Sequence, residues 1–189
     1  MATYVNNYQR CNSDPISASA RVDYAANCGT SIIFTGLTCS DDPAFFDAPG
    51  FAVPTNVDSN GPIFALSMLL LARITDGTTN TYLLGEKYLN ADNYENSVEG
   101  TDNNPTYSGF DWDWQRCSNT VGVSATTPCA SRDRKGYSNW QIFGSAHPST
   151  MNMVMCDGAV RAVSFNIDKT THEHLCDRQD GKAVDASQY

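Results

Sequence analysis

The chain has three histidines, and only one of them sits in a pattern that suggests chemistry. His147 lies in Phe143-Gly144-Ser145-Ala146-His147-Pro148, precedes Asn152, and is separated by nine residues from Asp157-Gly158. An imidazole with the carboxylate of Asp157 or Glu86 nearby would serve as a metal ligand or a general base. The alternative is structural: His147 fixes the loop before a turn by hydrogen bonding, and Asp157 fixes the turn. The structural reading is preferred, since backbone geometry alone accounts for Asp-Gly at a turn. His172 and His174 are two apart on a predicted helix, so they point to different sides and are expected at the surface rather than on a shared metal. G-x-S-x-G, Walker A, G-x-G-x-x-G and H-E-x-x-H signatures are all missing from the sequence. The expectation is a non-enzyme, with a metal-dependent hydrolase built on His147 as the remotest reading.

Oxygen ligands are concentrated elsewhere. The formal charge is −9, and −6 of it falls between Glu86 and Asp113, where seven carboxylates accompany the single Lys87. Within that window Asp92, Asn93, Glu95, Asn96, Glu99, Asp102, Asn103 and Asn104 supply oxygens without an evident basic partner. Calcium takes about six to eight oxygen ligands, carbonyls from a flexible loop included. The spacing is not that of an EF-hand, but Ca2+ is the expected cofactor, with Asp92, Glu95, Glu99 and Asp102 as its ligands; a solvated acidic loop is the alternative. Tyr107, Phe110, Trp112 and Trp114, interleaved with Asp111 and Asp113, offer stacking rings beside carboxylates, which would suit a glycan. A strand with one buried aromatic face explains the same alternation, and burial is the commoner use of such rings. The acidic balance speaks against nucleic acid or an anionic membrane, both of which require a basic patch.

The elements that must hold these groups are read from pattern. Residues 1–60 are rich in Asn, Asp, Ser, Pro and Gly and predict long loops between short strands. Ile63–Ile74 predicts a buried strand region, Thr75–Asn80 a turn, and Thr81–Leu84 a compact strand ending at Gly85-Glu86-Lys87. Residues 89–109 and 116–137 have loop composition. Phe110–Trp114 alternates as a strand would, and Trp140–Phe143 opens the last sheet segment. Met151–Phe165 predicts a hairpin on a two-residue Asp157-Gly158 turn, pairing Met155 with Val160, Met153 with Ala162 and Met151 with Ser164. Asp168 is placed to cap a short helix running to about Cys176. The fold class expected is α+β, mostly antiparallel sheet with long loops and short helices, as one domain over residues 1–189.

Seven cysteines without a C-x-x-C pair favour disulfides in an oxidising compartment over a zinc framework. Cys11–Cys28 and Cys117–Cys129 are the first pairs to test, since each closes a short loop rich in turn residues. Several buried reduced cysteines are the alternative. No signal peptide pattern opens the sequence, which is consistent with a mature chain or an excised domain.

Several blocks together resemble one family. His147 with Asp157-Gly158 matches the H-x9-DG signature of the planctomycete-type DUF1559 family. Ala20-Arg21-Val22-Asp23-Tyr24-Ala25-Ala26-Asn27 is similar to its R-x-D-Y-A-x-N region. Ile74-Thr75-Asp76-Gly77-Thr78-Thr79-Asn80-Thr81 with Leu84-Gly85-Glu86 is similar to its I-x-D-G-T-S-N-T and G-E blocks, and Asp180-Gly181 fits its tail. The resemblance spans about residues 20–185 and marks Asp76, Gly77, Asn80, Glu86, His147, Asn152, Asp157 and Gly158 as structural motif positions. It implies a pseudopilin-like head of the cell envelope or exterior, associated with a type IV pilus or type II secretion-like filament. The full-length protein would be membrane-anchored through an N-terminal helix that is missing here. Its implied partners are other pilin-like subunits or copies of itself, and pseudopilin heads that use calcium add weight to the acidic loop. A secreted carbohydrate-binding module using residues 107–114 is the alternative function.

Overall fold

The computed structural model describes residues 20–32, 44, 47, 49, 59–96, 98–100, 102–104, 112–118, 128–182, 184, 185 and 187. Seven strands and one α-helix follow in chain order: β1 Tyr24–Asn27, β2 Tyr82–Glu86, β3 Gln115–Arg116, β4 Ala130–Arg132, β5 Phe143–Ser145, β6 Thr150–Met155, β7 Val160–Ser164 and α1 Lys169–Cys176. Five strands make one sheet in the order β3-β1-β2-β6-β7, antiparallel throughout except where β3 joins β1 in parallel. β4 and β5 form a separate parallel pair. The class is therefore α+β with a mainly antiparallel sheet, as expected.

Alternation in β6 sets the core. Met151, Met153 and Met155 are fully buried and pack with Tyr82, Phe143, Val163, Leu175 and Cys176. Flexible thioethers are suited to filling the irregular space between the sheet and α1. Gly85 makes this fit work, because a β-carbon there would stand 2.2 Å from Met153 Sδ. α1 begins as the sequence predicts, with the Asp168 side chain accepting from Thr171 N at 3.0 Å.

Four expectations are corrected. The β6–β7 turn is a three-residue loop, closed by Met155 N donating to Ala159 O at 2.8 Å and Gly158 N to Met155 O at 2.9 Å. Gly158 takes φ +88° while Asp157 does not cross to positive φ, the signature of a type I turn completed by a left-handed glycine. The extra residue slides the register by one, so Val154 faces Val160, Asn152 faces Ala162 and Met151 faces Val163. Val163 thereby joins the methionines in the core, which a two-residue turn would have denied it.

Ile63–Ile74 is not a buried strand. Ile74 is buried, but Leu66, Met68, Leu70 and Leu71 are exposed, Met68 at 94%. Leu71–Arg73 is a single 3-10 turn. Trp112–Trp114 is likewise a 3-10 turn, with Asp113 buried and both tryptophans half-buried, the reverse of the expected strand faces. Within the 116–137 segment, predicted as loop, β3 ends at Arg116 and β4 occupies Ala130–Arg132. These strands of two and three residues carry too little pattern to read.

Candidate functional site

β2 and β6 place the motif residues at one sheet end. Gly85 is opposite Met153, so Glu86 and Asn152 project together on the face away from the methionines. Asn152 N donates to Glu86 Oε2 at 2.7 Å, and Asn152 Nδ2 donates to Oε1 at 3.2 Å. His147 comes from the β5–β6 connection, where its N–H donates to Ser145 Oγ and Ser145 Oγ donates to Thr150 O. Its Nε2 lies 3.3 Å from Glu86 Oε1, with the His147 side chain 54% exposed and that of Glu86 14%. A carboxylate held by a backbone amide and a side-chain amide orients the imidazole, and the pair can hold or pass a proton at the surface.

Asp157 is not part of this constellation. It sits at the other end of β6, about 17 Å away by strand rise, where its Oδ1 accepts from Ala159 N at 2.8 Å. The H-x9-DG spacing thus measures the length of one strand and its two terminal turns. Asp76 has a similar duty: Oδ2 accepts from Asp180 N at 2.7 Å and Oδ1 from Gly181 N at 2.9 Å. Gly77 turns at φ +94°, and Asn80 Nδ2 reaches back to Asp76 O. Thr78 O and Thr81 O accept from Asp157 N and Cys156 N. The Asp76–Thr81 block therefore clasps both the hairpin turn and the C-terminal tail.

The acidic window is spread among different tasks. Asp102 Oδ1 lies 2.6 Å from Lys87 Nζ and Oδ2 lies 3.5 Å from Arg21 Nη1, all three side chains being buried. Asp113 Oδ2 accepts from Asn104 N at 2.6 Å. Glu99 Oε2 accepts from Asn93 Nδ2 and Ser138 Oγ, each at 2.9 Å. Asp92 Oδ2 accepts from Gly136 N at 2.9 Å, and Glu95 is exposed. The reading of a loop without basic partners is corrected: its cations arrive from β1's approach, from the end of β2 and from β3. Among the described residues no three His, Cys, Asp or Glu side chains stand together as a metal site.

Fully buried Arg116 completes this interior network. Its Nη1 donates to Trp112 O and Gln115 O. Burial pulls its pKa down to about 10 against the attraction of Asp113 and Asp102. Burial, followed by repulsion from Arg116, likewise lowers the pKa of Lys87, opposed by Asp102. Asp113 turns inward because these cations require a counter-charge in low dielectric.

Other sequence candidates divide similarly. Trp112 stacks edge-on against Trp140 with centroids 3.9 Å apart. Trp114 instead lines an apolar cleft with Val22, Tyr24, Ala26, Ile63 and Leu84, of about 310 Å³. Tyr107 lies outside the described residues. His172 is fully buried rather than on the surface, packed on Tyr82 and Phe143 at 5.6 and 6.2 Å, and burial lowers its pKa to about 4. Its neighbour in the pattern, His174, meets Asp180 at 2.5 Å. No disulfide joins the described cysteines, so Cys117–Cys129 is not formed, and Cys11 lies outside the described residues. No helix among the described residues is long and apolar enough to cross a membrane.

The arrangement defines a class: an α+β domain whose recurring Asp-Gly and Glu–His–Asn positions brace a five-stranded sheet and its turns. Residues 3–170 match the family described as SBP_bac_10, protein of unknown function (DUF1559). The chain belongs to the DUF1559 family. No curated protein and no solved structure matches it.

Proposed function

We propose that this chain is the extracytoplasmic head of a pseudopilin-like protein, acting by subunit contact rather than by catalysis. The observation that supports this reading is apolar surface left uncovered. One sheet face is filled by the methionines and α1, whereas Tyr24, Ala26 and Leu84 on the opposite face line the cleft. Ile63 at the cleft leads into the run of exposed Leu66, Met68, Leu70 and Leu71. Exposed apolar patches of this kind mark surfaces that another polypeptide covers. Neighbouring pilin-like subunits or copies of the same chain are the partners this surface suits.

The test is cross-linking in the full-length protein in its native envelope, comparing the wild type with a Met68→Asp/Leu71→Asp variant. Both side chains are exposed, so the melting temperature should hold while higher-order cross-links disappear. An unchanged cross-link pattern would overturn the proposal. Retention of the wild type on polysaccharide would instead favour the carbohydrate-binding alternative.

A further inference from the structure

Two of the seven cysteines immediately follow adjacent strands. β1 and β3 run parallel with Ala26 opposite Gln115 and Asn27 opposite Arg116, so the next register position brings Cys28 opposite Cys117. One ladder bond reaches this position, and the next is offset by one residue. Cys28 N donates to Arg116 O at 3.0 Å, and Ser118 N donates to Gly29 O at 3.1 Å. Register partners on neighbouring strands stand about 4.8 Å apart with side chains on the same face. Disulfides span Cα separations of roughly 4.4–6.8 Å, so this register places the two cysteines within bonding range.

Both residues are fully buried. The Cys28 thiol donates to Arg116 O at 3.1 Å, and its contact with the Cys117 side chain, ahead of burial, raises its pKa well above the usual thiol range. Cys176 is a third buried thiol close enough to be felt by both. Neither strand pairing nor sequence spacing brings Cys176 into register with either one.

We propose that Cys28 and Cys117 form a disulfide when the chain folds in the presence of a disulfide oxidant, small or protein-borne. A thiolate of one cysteine attacks the oxidant's S–S bond, forming a mixed disulfide and releasing one oxidant thiol. The second cysteine then displaces the other oxidant thiol and closes the Cys28–Cys117 bond. The two cysteine thiols give up two electrons and two protons, and the oxidant disulfide is reduced to two thiols. Because both sulfurs are enclosed, exchange occurs before the core closes, and the finished bond resists reductant until the domain opens. The bond ties the start of the sheet to a strand 89 positions later in the sequence, a long loop whose closure constrains the unfolded chain.

The experiment refolds the reduced protein in a reduced and oxidised glutathione mixture, quenches with iodoacetamide, and maps peptides with and without reductant. The expected result is a reductant-sensitive peptide pair joining Cys28 to Cys117. Reduction should lower the melting temperature of the wild type by on the order of 10 °C, with no such step in Cys28→Ser or Cys117→Ser. Quantitative alkylation of both residues after refolding, or linkage of either to Cys129, Cys176 or another cysteine, would overturn the proposal. The peptide map of the wild type decides this whether or not the serine variants fold. Its outcome is independent of any filament role.

Discussion

Glu86 and Lys87 are neighbours in sequence, yet they serve two different regions. Glu86 leaves the sheet end toward half-exposed His147 and the amide groups of Asn152. Lys87 turns inward, where Asp102, Arg21, Asp113 and Arg116 share an interior charge network. At the first site the half-exposed imidazole keeps its contact with Glu86 in reach of solvent, which screens it. At the second, removing one charge strands its partners in low dielectric. The same family-like block, Leu84-Gly85-Glu86, thus borders both a surface motif and a structural interior.

The sharpest way to break this contrast is Asp102→Ala. Loss of the counter-charge to buried Lys87 should cost about 3–5 kcal/mol, read from denaturant unfolding. Glu86→Ala should cost only about 1 kcal/mol, the worth of its hydrogen bonds to Asn152, and His147→Ala still less. Equal effects at Asp102 and Glu86 would erase the distinction.

A second test uses pH. His172 is held neutral by burial, with its pKa reduced from 6.5 to about 4. Its contribution is therefore fully present above pH 6.5 and is lost as pH falls toward about 4, because the unfolded state binds the proton first. The loss should reach about 3 kcal/mol across that window. His172→Phe should flatten this part of the stability profile, whereas His147→Ala should leave it in place. An unaltered profile in His172→Phe would show that another group governs acid unfolding.

The smallest effect is expected from calcium. Asp102 is engaged by Lys87 and Arg21, and Glu99 by Asn93 and Ser138. EDTA followed by excess calcium should leave the melting temperature unchanged. A rise on adding calcium would mean that the acidic window rearranges around an ion, joining its surface carboxylates to the interior ones.

Much of the framework was legible because it depends on local rules. The Asp168 cap, the β2 strand, the turn at Asp76-Gly77 and the alternating methionines of β6 all follow from contacts within a few residues. The family motifs also identified Glu86, His147 and Asn152, although spacing could not show that these meet while Asp157 stays at the far end of β6. Where the reading failed, hydrophobicity was taken for burial. Leu66–Leu71 is apolar enough for a core strand but has no described sheet neighbour, and Trp112–Trp114 alternates without being extended. A hint of the interior network was present in Arg116 and Lys87, the basic residues flanking an acidic run, but no local pattern announces a buried charge.

By itself, then, the sequence determined the family, the α+β class, the Asp76-Gly77 turn, the helix cap and the methionine face, because glycine geometry, capping and period-two alternation act over short distances. Only the tertiary structure decided the hairpin register, the fates of Glu86 and Lys87, the burial of His172 and the meeting of Cys28 with Cys117. Each of those depends on which distant segment arrives as a neighbour, and in a protein interior that neighbour decides whether a charge, an imidazole or a thiol is stabilised or stranded.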